Sequence, residues 1–186
     1  MRKIKKMIGN EYEEHWIETF SGRKMHYLNP TDDEIDIKDI AHALSLICRF
    51  GGHCKEFYSV AQHSLGVMEL VPQEYKLEAL LHDAAEAYIS DLPRPIKNDL
   101  SQFKEIEQGI EETIFRKFNI TNRNHGIIKM ADNIMLATEA RDIMANTTDW
   151  IELPKPLESK IESIPNAFVE RLFLTIFEEL MGVIDV

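Results

Sequence analysis

His82 and Asp83 stand side by side in the apolar run LLHDAAEAY, residues 80–88. A His-Asp dipeptide alone is a weak signal; its company gives it meaning. His63 lies upstream in QHS, Asp132 lies downstream in MADN, and Glu86 follows Asp83 by one helical turn. Two imidazoles and two carboxylates hold a divalent cation while leaving coordination positions for water and a substrate oxygen. A cation held that way makes water easier to deprotonate and polarises a phosphoryl oxygen. The set His63, His82, Asp83, Asp132 therefore suits hydrolysis, whereas a closed structural zinc site would draw on Cys. Glu86 is four residues from His82 and three from Asp83, hence on the same side of a helix, where a carboxylate can position or deprotonate an attacking water.

Three elements must converge to bring these side chains together. Apolar residues recur at helical spacing from Ile35 to about Cys48 (Ile37, Ile40, Ala41, Leu44, Ile47), and the double glycine Gly51-Gly52 breaks that helix. The pattern predicts a helix from about Ser59 to Leu70 carrying His63, and another from Gln73 to Ile89 carrying His82, Asp83 and Glu86. Pro93 and Pro95 bracket Arg94, so residues 90–97 read as a turn-rich loop. Long amphipathic helices fit 99–118, with Asp132 on the next one at 124–145, and a Pro-punctuated connection near 153–157 leads to a last helix at 166–181. Residues 15–28 read as two short strands around a Ser21-Gly22 turn. The expected architecture is all-α, a helical bundle with a short N-terminal β-hairpin and ligands supplied from its core. The length of 186 residues fits a single domain, 1–186, with residues 1–14 as a loose and partly basic arm.

Composition narrows the classes. Hydrophobic residues make up 44% and charged residues 28%, ordinary for a soluble globular chain. No apolar run approaches the roughly 18 residues of a membrane span, and no signal-peptide core follows the basic start. Two cysteines, Cys48 and Cys54, make no disulfide scaffold and point to a reducing cytoplasm. A net charge of −11 argues against stable nucleic-acid binding, but a local cluster of metal and Arg or Lys still suits a small anion. His53 and Cys54 are too few for a second metal site; His53 shapes the pocket and Cys54 reads as a plain thiol. Glu139, seven residues after Asp132 on the same helix face, is as suited to an ion pair with Arg141 as to a ligand. The eight methionines read as core filling.

The motifs resemble one family. The order His63, His82-Asp83, Asp132 follows the H…HD…D pattern of HD-domain metal-dependent phosphohydrolases. The strings RFGGH (49–53), YSVAQHS (58–64), LLHDAAEAY (80–88), DLPRPIK (91–97) and ATEARD (137–142) look like the small phage and prophage members. These are similar to bacterial 5′-deoxynucleotidases and phage dATP triphosphohydrolases. The resemblance spans roughly residues 19–145 and implies an HD fold in which His63, His82, Asp83 and Asp132 bind a divalent metal (Co, Mn, Zn or Mg). It implies further that Glu86 orients water, Asp91 assists the leaving oxygen, and Arg49 and Lys97 grip phosphate. Phe50 stands where deoxynucleotidases carry Trp beside the sugar, a departure that bears on sugar discrimination. The implied reaction is release of phosphate from 5′-deoxynucleoside monophosphates. Two alternatives stand beside it: cleavage of a dNTP such as dATP to tripolyphosphate, with Arg94 and Lys129 available for the phosphate tail, and a non-catalytic, metal-stabilised nucleotide sensor. Relatives often assemble, and the apolar stripe Phe168, Leu172, Phe173, Ile176, Phe177, Leu180 suits either a homo-oligomer interface or the core.

Overall fold

The structure, a computed structural model, describes residues 15–146, 150 and 152–183. The expected N-terminal arm, residues 1–14, lies outside them. The architecture is mostly helical with a short N-terminal hairpin, as expected. Strands β1 (Ile17–Glu18) and β2 (Lys24–Met25) pair antiparallel, Ile17 opposite Met25 and Glu18 opposite Lys24, around the Ser21-Gly22 turn. Gly22 there takes φ +79°, the left-handed conformation that a side chain resists.

Helix α1 (Ile37–Leu46) starts where Asp36 accepts a hydrogen bond from the Lys38 amide at 2.9 Å, satisfying an amide the first turn leaves free. Its apolar face, Ile40, Ala41 and Leu44, is fully buried, and the helix packs against the helical segments Val60–Glu69, Glu86–Ile89 and Asn166–Leu180. Helix α2 (Val60–Glu69) is capped by Ser59 Oγ, which accepts from the Gln62 amide at 3.1 Å. Val60 to Leu65, Val67 and Met68 are all buried, so α2 is the central helix, and His63 is fully enclosed on it. At Gly66 a Cβ would sit 2.6 Å from Met135 Cε on α7 (His125–Ile143), so a glycine here lets the side chains of α7 come close to α2. Helix α8 (Asn166–Leu180) closes the core by burying Val169, Phe173 and Phe177. Each large side chain buried this way is worth roughly 2 kcal/mol relative to exposure.

Two expectations change. The single helix over 73–89 is broken into α3 (Lys76–Leu80) and α4 (Glu86–Ile89), with Leu81–Ala85 forming consecutive turns between them. The amides of Ala84 and Glu86 bond the carbonyls three residues back, Leu81 and Asp83, the tighter pattern of a 3₁₀ turn. The residues His82 and Asp83 therefore ride on turns and not on a regular helix. The loop expected over 90–97 is short, because α5 (Arg94–Asp99) begins inside it with Pro95 at its second position. Proline is tolerated there because the first-turn amides have no helical partner to lose. Helix α6 (Ser101–Lys117) matches the expected span. Among the described residues, no helix is long and apolar enough to cross a membrane.

Candidate metal centre and its cavity

The break at Leu81–Ala85 fixes an imidazole. His82 Nδ1 donates to the Ala79 carbonyl at 2.8 Å, an oxygen that a continuous helix would have bonded to the Asp83 amide. With the proton on Nδ1, Nε2 is left to face the site, and it is buried without a hydrogen-bond partner. His63 is oriented in the same sense by another device. Its Nδ1 lies 2.6 Å from Glu139 Oε1, and its Nε2 is likewise buried and unpartnered. A pairing of imidazole Nδ1 with a carboxylate or carbonyl is the usual outer support of a metal-binding histidine.

Ligand atoms of His63, His82 and Asp132 lie within 4.8 Å of one another, and this group could hold a metal ion. Asp132 Oδ1 is 3.4 Å from His63 Nε2. Asp83 sits at the edge of the group, with Oδ2 3.3 Å from His82 Nε2 and 3.7 Å from His63 Nε2. Two orphaned imidazole nitrogens facing two carboxylates are what a divalent cation requires, so the residues present fit one.

Electrostatics point the same way. Burial works against the charge on Asp83, but His82, His63 and Arg49 outweigh it and hold the carboxyl far below the ordinary range. Asp132 is depressed likewise, with His63, His82 and Lys129 overcoming its burial. Burial and Arg49 disfavour protonated His63, yet Glu139 and Asp132 prevail and push it up to about 9. A proton on His63 thus occupies the role a cation would take, and metal binding there must displace it.

These groups meet at a cavity of about 950 Å³. Arg49, Phe50, His82, Asp83, Glu86, Asp91, Lys97 and Asp132 all line it, so those sequence-derived site residues share one space, and the buried His63 reaches it from behind. Arg49 follows α1 at a tight turn, Arg49–Gly52, where Phe50, Gly51 and Gly52 take φ of 55°, 60° and 82°. Its Nε donates to Glu139 Oε2 at 3.1 Å, and Nη1 lies 3.6 Å from Asp83 Oδ2. Glu86 is buried, its Oε2 unpartnered and its Oε1 3.3 Å from Lys97 Nζ. Lys97 also donates to Glu107 at 2.6 Å. Burial, Asp83 and Asp91 push the Glu86 carboxyl well up, with Lys97 and Arg49 pulling the other way. Asp91 is raised mainly by burial, with Asp83 adding to it against Arg49 and Lys97. Ser90, just before it, is held at φ 69° and ψ 160°.

Glu139 departs from expectation. It pairs with His63 and Arg49, while Arg141 pairs with Asp142 at 2.7 Å and with carbonyls of the 157–159 segment. Its position two turns after Asp132 on one helix face was the available signal. Arg94 and Lys129 reach the cavity, but both pair with Asp132 Oδ2, at 3.3 and 2.6 Å. Trp150, which no motif indicated, lines the cavity with its ring 5.9 Å from that of Phe50, edge to face. His53 also lines the wall. Cys48 and Cys54 are free thiols with Sγ atoms 3.4 Å apart.

No family model matches the chain. The uncharacterized protein YfdR of Escherichia coli (strain K12) is 48% identical over 128 residues, covering 69% of this chain and 72% of YfdR. The uncharacterized protein RCAP_rcc00048 of Rhodobacter capsulatus is 32% identical over 142 residues, covering 69% of this chain and 72% of that protein. With that identity over that much of both proteins, the chain belongs to the family that includes YfdR and RCAP_rcc00048.

Proposed function

We propose that the chain is an HD-type, metal-dependent phosphohydrolase of small nucleotides, acting on 5′-deoxynucleoside monophosphates to give nucleoside and phosphate. The observation that carries this reading is the pair of buried, unpartnered Nε2 atoms of His63 and His82, set against Asp83 and Asp132 on a wall shared with Arg49, Lys97, Glu86 and Asp91. His63, His82, Asp83 and Asp132 would hold the cation. When bound, a divalent cation supplies Lewis-acid polarisation of a phosphoryl oxygen and eases deprotonation of water.

The remaining chemistry belongs to the chain. Arg49, fixed along one edge by Glu139, presents its other nitrogens to phosphate oxygens, and Lys97 adds a second positive charge. Glu86 uses its free Oε2 to orient water in line with the phosphorus and to take its proton. Asp91, shifted toward holding a proton, donates to the departing 5′-oxygen. The phosphorus–oxygen ester bond breaks, a phosphorus–oxygen bond to water forms, and no covalent intermediate on the protein is needed.

Charge favours one phosphate over three. Acidic side chains outnumber Lys and Arg on the cavity wall, seven to five. Arg94 and Lys129, the available grips for a longer phosphate chain, already pair with Asp132. The deciding experiment is a product assay on dNMP, NMP and dNTP panels with Mn²⁺, Co²⁺, Zn²⁺ or Mg²⁺, beside an Asp83→Ala control. Orthophosphate from dNMPs, absent with Asp83→Ala, supports the proposal. Tripolyphosphate from a dNTP replaces it with the triphosphohydrolase reading. Nucleotide binding with no metal-dependent turnover replaces it with a sensor.

A further inference from the structure

The turn that carries Arg49 and Phe50 is flanked by two thiols. Cys48 and Cys54 are six residues apart, both half-buried, with Sγ atoms 3.4 Å apart. Cys54 Sγ also lies 3.8 Å from the Arg49 carbonyl, so the side chain folds back over the turn it closes. The far sides of both cysteines are anchored. Cys48 pairs with Ser59 in an isolated antiparallel bridge, with the Arg49 amide bonding the Tyr58 carbonyl at 2.9 Å. Next to Cys54, the Lys55 amide donates to the Ile143 carbonyl at the end of α7 at 2.8 Å. Between these anchors run Phe50, Gly51 and Gly52, all in the left-handed region. The adjustable stretch is therefore the one between the two sulfurs.

We propose that Cys48 and Cys54 form a reversible intramolecular disulfide, a modification site that locks the Arg49–Phe50 turn and lowers activity at the adjoining cavity. An S–S bond needs about 2.05 Å, so the sulfurs must close by roughly 1.4 Å, a displacement the two glycines can absorb. A peroxide serves as oxidant. One sulfur, as thiolate, attacks a peroxide oxygen; the O–O bond breaks, giving a sulfenic acid and one water. The second thiol then displaces the sulfenic oxygen as another water, and the S–S bond forms. Two electrons pass from the sulfurs to the peroxide oxygens, and the two thiol protons leave in the waters. A chain with its thiols this close needs no second protein for the step, and a low-molecular-weight thiol reverses it. Arg49 feels the change because its guanidinium spans Glu139 and Asp83, and a shift of about 1 Å at such a group costs on the order of a hundredfold in rate.

The test treats the full chain with hydrogen peroxide and then dithiothreitol, following free thiols, intact mass, amide exchange across residues 49–58, and turnover with Mn²⁺. The expected oxidised form is a monomer that has lost both thiols and 2 mass units, exchanges more slowly over the turn, and turns over at least tenfold more slowly, all reversed by dithiothreitol. Cys48→Ser and Cys54→Ser should each keep basal turnover and lose the response. Retained thiols, crosslinking between chains, overoxidation that dithiothreitol does not reverse, or a disulfide with unchanged exchange and turnover would overturn the proposal. The turnover readout rests on the phosphohydrolase reading. If neither redox form turns over any nucleotide, that reading fails, while thiol count, mass and exchange still decide whether the pair locks the turn.

Discussion

Glu139 Oε1 accepts from His63 Nδ1 at 2.6 Å, and the same carboxylate receives Arg49 Nε at 3.1 Å. One fully buried carboxylate on α7 thus orients an imidazole of the candidate metal centre on α2 and a guanidinium on the cavity wall after α1. Burial disfavours its charge, but Arg49 and His63 hold its pKa down, so it stays an acceptor for both. Removing that charge should loosen the imidazole and leave Arg49 buried beside a neutral partner. For Glu139→Gln, we expect Mn²⁺ or Co²⁺ affinity to fall 10- to 100-fold, the range typical of outer-shell carboxylates. Titration calorimetry checks this, and affinity within twofold of the wild type would refute the support role. Glu139→Asp should restore part of the affinity.

How much of this was legible in the sequence depends on which force decides each element. Helix starts were readable because capping is local: Ser59 and Asn124 bond their own helices' third amides. Partners brought together by the fold were not. Nothing local in the Ala-rich run 79–89 signals the turns at Leu81–Ala85; His82 taking the Ala79 carbonyl is visible only in three dimensions. Pro95 illustrates the converse, a residue read as a breaker that sits where a first turn accepts it. The candidate ligands were legible because their chemistry restricts residue type. The partners of Glu139 and the place of Trp150 were not, since they come from segments about 75 to 100 residues away in sequence.

Glu86 should separate catalysis from metal binding. Its carboxylate contacts Lys97 and leaves Oε2 free in the cavity. On the proposed mechanism, Glu86→Ala keeps metal content near wild type and lowers kcat by about 10²- to 10⁴-fold, the usual worth of a positioned acid or base. Metal analysis of the purified variant beside single-turnover rates checks both halves. Loss of the metal with the rate would place Glu86 among the ligands instead.

Glu111 gives a pH signature in stability. Burial, reinforced by Glu112 and Glu107, pushes its carboxyl up to about 7. A folded-state pKa above the unfolded value means the folded chain binds more protons between the two, so stability falls as pH rises from about 4.5 to 7. Glu111→Gln removes that loss. We expect the variant to gain about 1–3 kcal/mol at pH 8, the upper end being the whole shift converted at 1.36 kcal/mol per unit, and little at pH 4. Urea unfolding at the two pH values measures it, and an equal change at both would contradict the assignment.

Ser90 links the fold's strain to the site. It ends α4 at φ 69° and ψ 160°, a region that glycine occupies freely and serine does not, at a cost of about 1–3 kcal/mol. The residue lies between Glu86, the proposed base, and Asp91, the proposed acid, and its amide bonds the Glu86 carbonyl at 2.8 Å. Its unusual backbone is what turns the chain out of the helix and sets Asp91 on the cavity wall. Ser90→Gly should relieve the strain and raise stability by about 1 kcal/mol, less than the full strain because glycine gains more freedom in the unfolded chain. The same freedom loosens Asp91, so kcat should fall several-fold while metal affinity holds. Ser90→Ala keeps the strain and should leave kcat within twofold. A chemical denaturation curve and a kcat measurement on both variants decide it: if Ser90→Gly is less stable than wild type, or if both variants lose rate equally, the strain does not serve to place Asp91.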